Sequence, residues 1–208
     1  MQSSTEELFN TVSHGIGLIA AVIAAPILLF AASARGDGRF FVGSVIFTIT
    51  MVGVYLGSTL YHAWPATPRK SVLQLVDHSA IFLLIAGTYT PFALGPLAGA
   101  YGSALLALVW AIALFGIVVK IARGTARHPK LAMSLYLGMG WSGLIVIRPL
   151  SLAVPMPALI WLITGGVVYT TGVLFFVNER LRYGHFVWHL FVMGGTTCHF
   201  LALLACTA

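Results

Sequence analysis

His185 and His189, four residues apart in the stretch YGHFVWHLFV, are the residues of this chain best equipped for chemistry. At that spacing both imidazoles leave the same face of a helix. A third imidazole, His62, lies in GSTLYHAWP, with Ser58 one helical turn before it. Asp77 and its neighbour His78 stand in LQLVDHSAIFLL. Three imidazoles from two separate segments can bind zinc (Zn2+) through nitrogen at ~2.0–2.1 Å and leave a fourth position for water. Asp77 then either orients that water and takes its proton, or serves as a fourth ligand. Ser58 can hold a carbonyl or the oxyanion formed from it. A bound dication also explains how these polar groups are tolerated among apolar residues.

Taken singly, each residue has an ordinary explanation. A His-x-x-x-His pair in an apolar run can be interfacial, bonded to loops or headgroups. Ser58 can bond its own helix backbone. Asp77 can pair with Arg69 or Lys70 by snorkelling. His78, about 100° around the helix from Asp77, suits a bond to a neighbouring helix. Glu7, Asn10 and His14 form one helical stripe, suited to the mouth of such a site or to a supporting position behind it. His199 suits a hydrogen bond inside a bundle, His128 a solvated loop and Arg148 a headgroup anchor. Metal chemistry follows only if the candidate residues converge.

The elements that would make them converge are membrane spans. Of 208 residues, 59% are hydrophobic and 8% charged, and mean hydropathy is +0.97. That composition excludes an ordinary soluble domain. Seven apolar runs, about 11–33, 41–63, 72–93, 101–121, 131–149, 156–177 and 185–206, are each long enough to cross ~30 Å of hydrocarbon as a helix. The predicted fold is all-α, one seven-helix transmembrane bundle over residues 1–208. Pro91 is expected to end or kink the third helix. GVYLG (Gly53, Gly57) and LGMGWSG (Gly138, Ser142) carry small residues at helix-packing spacing. Packing within the chain is the preferred use, with a homo-oligomer face as the alternative. Cys198 and Cys206 would be ~12 Å apart on one helix, too far for a disulfide. The first ten residues lack the basic region of a secretory signal, so the first run is expected to remain as a span.

The net charge of +6 does not indicate nucleic-acid binding, because the basic residues flank apolar runs. Of eleven Lys and Arg, eight fall on one side: Arg69, Lys70, Lys120, Arg123, Arg127, Lys130, Arg180 and Arg182. Arg35, Arg39 and Arg148, three in all, fall on the other. This bias places the N-terminus in the cytoplasm and the C-terminus outside. His62, Asp77, His185 and His189 then share one membrane depth, provided the second, third and seventh helices meet.

At these residues the sequence resembles the bacterial hemolysin III family. EELFNTVSHGIG, STLYH, DHSAIFLLIAGTYTPF and HFVWHLFVMGGTTCHFLA carry the resemblance over nearly the whole chain. The family is related to the progestin and adiponectin receptors and, more distantly, to the alkaline ceramidases. The resemblance implies seven helices with a cytoplasmic N-terminus and a zinc site in the bacterial inner membrane. It matches His62, His185 and His189 to metal ligands, and Ser58 and Asp77 to the serine and acidic positions. The function expected is zinc-dependent hydrolysis of a lipid amide or ester, with membrane lipids as partners. The alternatives are a membrane-state sensor with structural zinc, or a cytolysin or channel. The outer helix halves show no continuous polar stripe of the kind a pore needs.

Overall fold

Helix starts in this chain follow from local capping chemistry, and the first begins earlier than hydropathy suggests. Ser3 and Glu6 form a reciprocal capping box: Ser3 Oγ accepts from the Glu6 N–H at 3.3 Å, and Glu6 Oε2 accepts from the Ser3 N–H at 2.8 Å. Helix α1 therefore runs Ser4–Ala34, well before the apolar run that opens at residue 11. Its 31 residues span ~46 Å at helical rise, more than the hydrocarbon thickness. Its first turns are thus available to reach polar groups near the bundle end. Asp37 caps α2, Gly38–Ala63, by accepting from the Arg39 and Phe40 N–H groups. Then follow α3, Pro68–Leu94, and α4, Ala100–Arg123. The computed structural model describes residues 3–124, 129–178 and 180–207; His128 lies outside them.

Two expectations are corrected here. Of the two outcomes expected at Pro91, an end or a kink, the end does not occur there, since α3 continues to Leu94. The crossing of α2 and α3 accommodates the proline: a Cβ on Gly43 of α2 would lie 2.4 Å from Pro91 Cα, so the two backbones touch there. The fifth span is not one helix. It comprises α5, Pro129–Trp141, a 3-10 turn, Ser142–Val146, and α6, Ile147–Ala153. Glycines around Trp141 lower the cost of the break. The Tyr89 hydroxyl satisfies its backbone, donating to the Gly140 carbonyl at 2.6 Å and accepting from the Gly143 N–H at 3.1 Å. Irregular backbone at membrane depth is tolerated only with such internal partners. The chain closes with α7, Met156–Phe176, and α8, Gly184–Ala205.

Among the described residues, seven helical spans are long and apolar enough to cross a membrane, and there is no strand. Their outward faces are apolar, with Leu152 82% and Phe30 80% exposed, as lipid contact requires. Phe40, Phe47, Phe82, Leu28, Met139 and Leu203 fill the interior. Successive helices α1 to α4 pack side by side, α7 packs on α8, and α8 returns against α1. Helix α1 therefore bridges α2 and α8. Among the small residues singled out from the sequence, Gly57 lies at the α2–α3 contact, 3.7 Å from Asp77 Cα as an added Cβ would measure it. Gly53 and Gly138 instead face open space, because their positions turn away from neighbouring helices. Cys198 and Cys206 are both free and buried.

Gly43→Leu is expected to destabilise the bundle by at least ~1–3 kcal/mol, since the added side chain would meet backbone rather than a movable side-chain tip. Gly53→Ala should change stability by less than ~0.5 kcal/mol. Thermal unfolding of both variants in one detergent checks the contrast.

Candidate metal centre

The last turn of α2 and the first two turns of α8 converge at the bundle end that carries the N-terminus. His62 lies two residues before Trp64, whose extended backbone ends α2. Helix α8 is launched from Tyr183, the sole non-glycine residue with positive φ (61°) among those described. That left-handed conformation is held from α1. The Tyr183 N–H donates to Glu6 Oε1 at 3.2 Å, and its ring meets Phe9 edge-on at 5.5 Å. The result is an α8 whose first face, His185 and His189, turns towards α1 and α2.

The histidines come together closely. One nitrogen from each of His62, His185 and His189 lies within 4.8 Å of the others, a spacing that a metal ion can bridge. His185 Nε2 and His62 Nε2 are 3.3 Å apart. His62 and His189 are almost fully buried, at 4% and 2% exposure.

Whether these rings suit a metal depends on their outer nitrogens. His62 Nδ1–H donates to Glu7 Oε2 at 2.6 Å, and Glu7 Oε1 in turn accepts from Lys70 Nζ at 2.8 Å. His189 Nδ1 lies 3.1 Å from Ser13 Oγ and 3.3 Å from the Asn10 carbonyl. Ser13 Oγ donates to that same carbonyl at 2.9 Å, leaving its lone pairs to the imidazole. These contacts favour a proton on Nδ1 of both rings, which would leave each Nε2 to accept, the form a metal requires. The donor set fits a divalent ion of the zinc type, with three imidazoles and room for further ligands.

Helix α1 thus supplies the outer support, and its stripe divides into distinct tasks. Glu7 orients His62, and Asn10 offers its carbonyl to His189. His14 lies flat against the His189 ring, centroids 3.6 Å apart and planes within 9°, with Tyr55 edge-on at 5.2 Å. His14 is not one of the three converging rings. Glu7→Gln removes the carboxylate that fixes His62, so metal affinity should fall ~10–100-fold. Competition with a chelating dye reads this directly.

Ser58 and Asp77 are buried, at 1% and 6% exposure, and line a cavity with His14, His78, His185 and His189. Ser58 Oγ has no hydrogen-bond partner among the described residues. Asp77 stands outside the compact histidine group. His78 turns to neighbouring helices: its Nδ1 is 3.4 Å from Lys120 Nζ, and its carbonyl accepts from Tyr136 Oη at 2.7 Å. Lys120, Tyr136, Ser13 and Tyr55 escape the sequence reading. Lys120 counts there only as an orienting charge, although its place within the apolar LFGIVVKIAR run was a usable signal.

A second, larger cavity abuts the first. Its walls are chiefly aliphatic and aromatic, among them Leu84, Ile85, Phe92, Leu137, Trp141 and Leu162. Val54, Ile81, Tyr136, Trp188 and Val192 line both cavities. The broken fifth span forms part of this wall. His199 also lies there beside Tyr169, with ring centroids 5.5 Å apart; its Nδ1 has no hydrogen-bond partner among the described residues.

Residues 2–200 match the family model described as "Haemolysin-III related". The hemolysin-3 homolog of Bacillus subtilis is 40% identical over 199 residues, covering 96% of this chain and 93% of that protein. Hemolysin-3 of Bacillus cereus is 39% identical over 199 residues, covering 96% and 90%. The human monocyte to macrophage differentiation factor is 26% identical over 168 residues, covering 76% and 67%. No solved structure matches the chain.

Proposed function

The chain belongs to the haemolysin-III family and is a multi-pass membrane protein, and on that footing we propose that it is a zinc-dependent hydrolase of the plasma membrane that cleaves an amide or ester bond of a lipid. One observation carries this reading: an apolar cavity of acyl-chain character abuts the chamber holding His185, His189, Asp77 and Ser58. The charge bias of the loops orients that chamber towards the cytoplasm.

His62, His185 and His189 would hold the ion, with Glu7 and Ser13 fixing the ring orientations. Zinc, when bound, supplies Lewis acidity for polarising a carbonyl and activating water. The apolar cavity takes the acyl chain and excludes bulk water. Asp77 accepts the proton as water adds to the substrate carbonyl carbon. The Ser58 hydroxyl donates a hydrogen bond to the carbonyl oxygen as it gains charge. Collapse breaks the carbon–nitrogen or carbon–oxygen bond, and Asp77 returns its proton to the leaving amine or alkoxide. The products are a fatty acid and an amine or alcohol.

The direct test incubates purified, zinc-loaded protein in lipid nanodiscs with N-acyl amides and acyl esters, and measures released fatty acid by mass spectrometry. Release that stops on chelation is expected. Its absence from every substrate at full metal loading would favour the second reading, a sensor with structural zinc. The clamping of His62 and His189 by α1 supports that alternative, since it suits a metal that holds helices together. Conductance across a planar bilayer would point instead to a channel or cytolysin.

A further inference from the structure

The hydrolase reading leaves Lys120 unused. It stands in the last turn of α4, only 7% exposed, and lines the chamber that holds Ser58, Asp77, His185 and His189. Its hydrogen-bonding neighbour is His78 Nδ1 at 3.4 Å, a contact at the far limit of useful length. Asp77 lines the same chamber. Yet among the described residues no carboxylate oxygen comes within salt-bridge distance of its ammonium. Lys70 makes the contrast: it sits at the bundle end and pairs fully with Glu7 at 2.8 Å. An ammonium withdrawn from water without an anion at contact distance is costly, so a chamber that keeps one is suited to receive an anion.

The arrangement also gives that anion a place. Lys120 is absent from the walls of the apolar cavity and lies at the bundle end that carries the N-terminus. On the hydrolase reading, a lipid with its acyl chain in the apolar cavity and its scissile carbonyl at Ser58 and Asp77 has its other portion within the chamber that Lys120 lines. We propose that Lys120 binds an anionic group on the leaving portion of the substrate, which makes the substrate class an acyl amide or ester with a carboxylate or phosphate near the scissile bond. This assignment rests on the hydrolase reading and narrows it. Lys120 acts here as a specificity residue, forming a charge-assisted hydrogen bond to the headgroup.

The test compares N-palmitoylglycine with N-palmitoylethanolamine, which share an acyl chain and an amide and differ in one negative charge. Lysophosphatidic acid supplies the phosphate arm. Full-length, zinc-loaded protein in nanodiscs is assayed for binding by ligand-induced thermal shift and for palmitate release by mass spectrometry. The anionic compounds should bind about tenfold or more tightly than the neutral one, with the difference in KM rather than kcat. Lys120→Met should abolish that preference, bringing charged and neutral compounds to similar KM, and Lys120→Arg should retain most of it. Preference in binding without release of palmitate would support the anion site and defeat the hydrolase reading. Equal binding and release for charged and neutral compounds would keep the hydrolase reading and overturn the role of Lys120. A Lys120→Met variant weakened equally towards both compounds, or a protein that binds none of them, would overturn it as well.

Discussion

Asp77→Asn is expected to leave the bundle folded and the metal in place while lowering kcat by ~10²–10⁴. Asparagine matches aspartate in size, so the α2–α3 crossing at Gly57 needs no rearrangement. On the proposed mechanism, what disappears is the capacity to take a proton from water and return it to the leaving group. That loss corresponds to ~3–5 kcal/mol of transition-state stabilisation. Asp77 lies outside the trio of converging imidazoles, so zinc content measured by plasma emission should match the unaltered protein. Loss of both zinc and turnover in this variant would instead make Asp77 a ligand, and the proton-transfer role would fall. Unchanged turnover would defeat the proposed mechanism altogether.

The second large effect concerns the ligands themselves. His189→Ala removes one of three donors together with a buried ring that stacks on His14 and bonds towards Ser13 and Asn10. Bound zinc is expected to fall from about one equivalent to background, because two imidazoles hold zinc far less tightly than three. Thermal stability should fall with it, since a metal that binds only the folded state stabilises that state by mass action. His62→Ala should behave alike in metal content and additionally leave Glu7 without its imidazole partner. His14→Ala serves as the control: the ring is removed from beside the site but contributes no converging nitrogen, so zinc should be retained. Full zinc occupancy in either ligand variant, or metal loss in His14→Ala equal to theirs, would refute the proposed ligand set.

Much of the architecture was legible without coordinates, for a physical reason. In lipid, backbone hydrogen bonds must be closed within each segment, so apolar length translates almost directly into helices. The seven apolar runs and the seven spans accordingly coincide to within a few residues, apart from the early start of α1. The candidate ligands were also visible, because His and Asp are rare in spans and i, i+4 spacing fixes a shared face. The break in the fifth span was not, because it depends on Tyr89 reaching across from α3 to bond Gly140 and Gly143.

The primary structure by itself determined the seven spans, their order and the faces on which Ser58, His62, His185 and His189 lie, since those follow from local periodicity and the absence of water. Only the tertiary structure decided that α1 bridges α2 and α8, that Glu7 and Ser13 set the imidazole tautomers, and that Lys120 shares a chamber with Asp77. These are contacts between residues up to 179 positions apart. They depend on how helices rotate and tilt against one another, and small-residue crossings such as Gly43 on Pro91 set that geometry through close packing rather than through any repeating pattern along the chain.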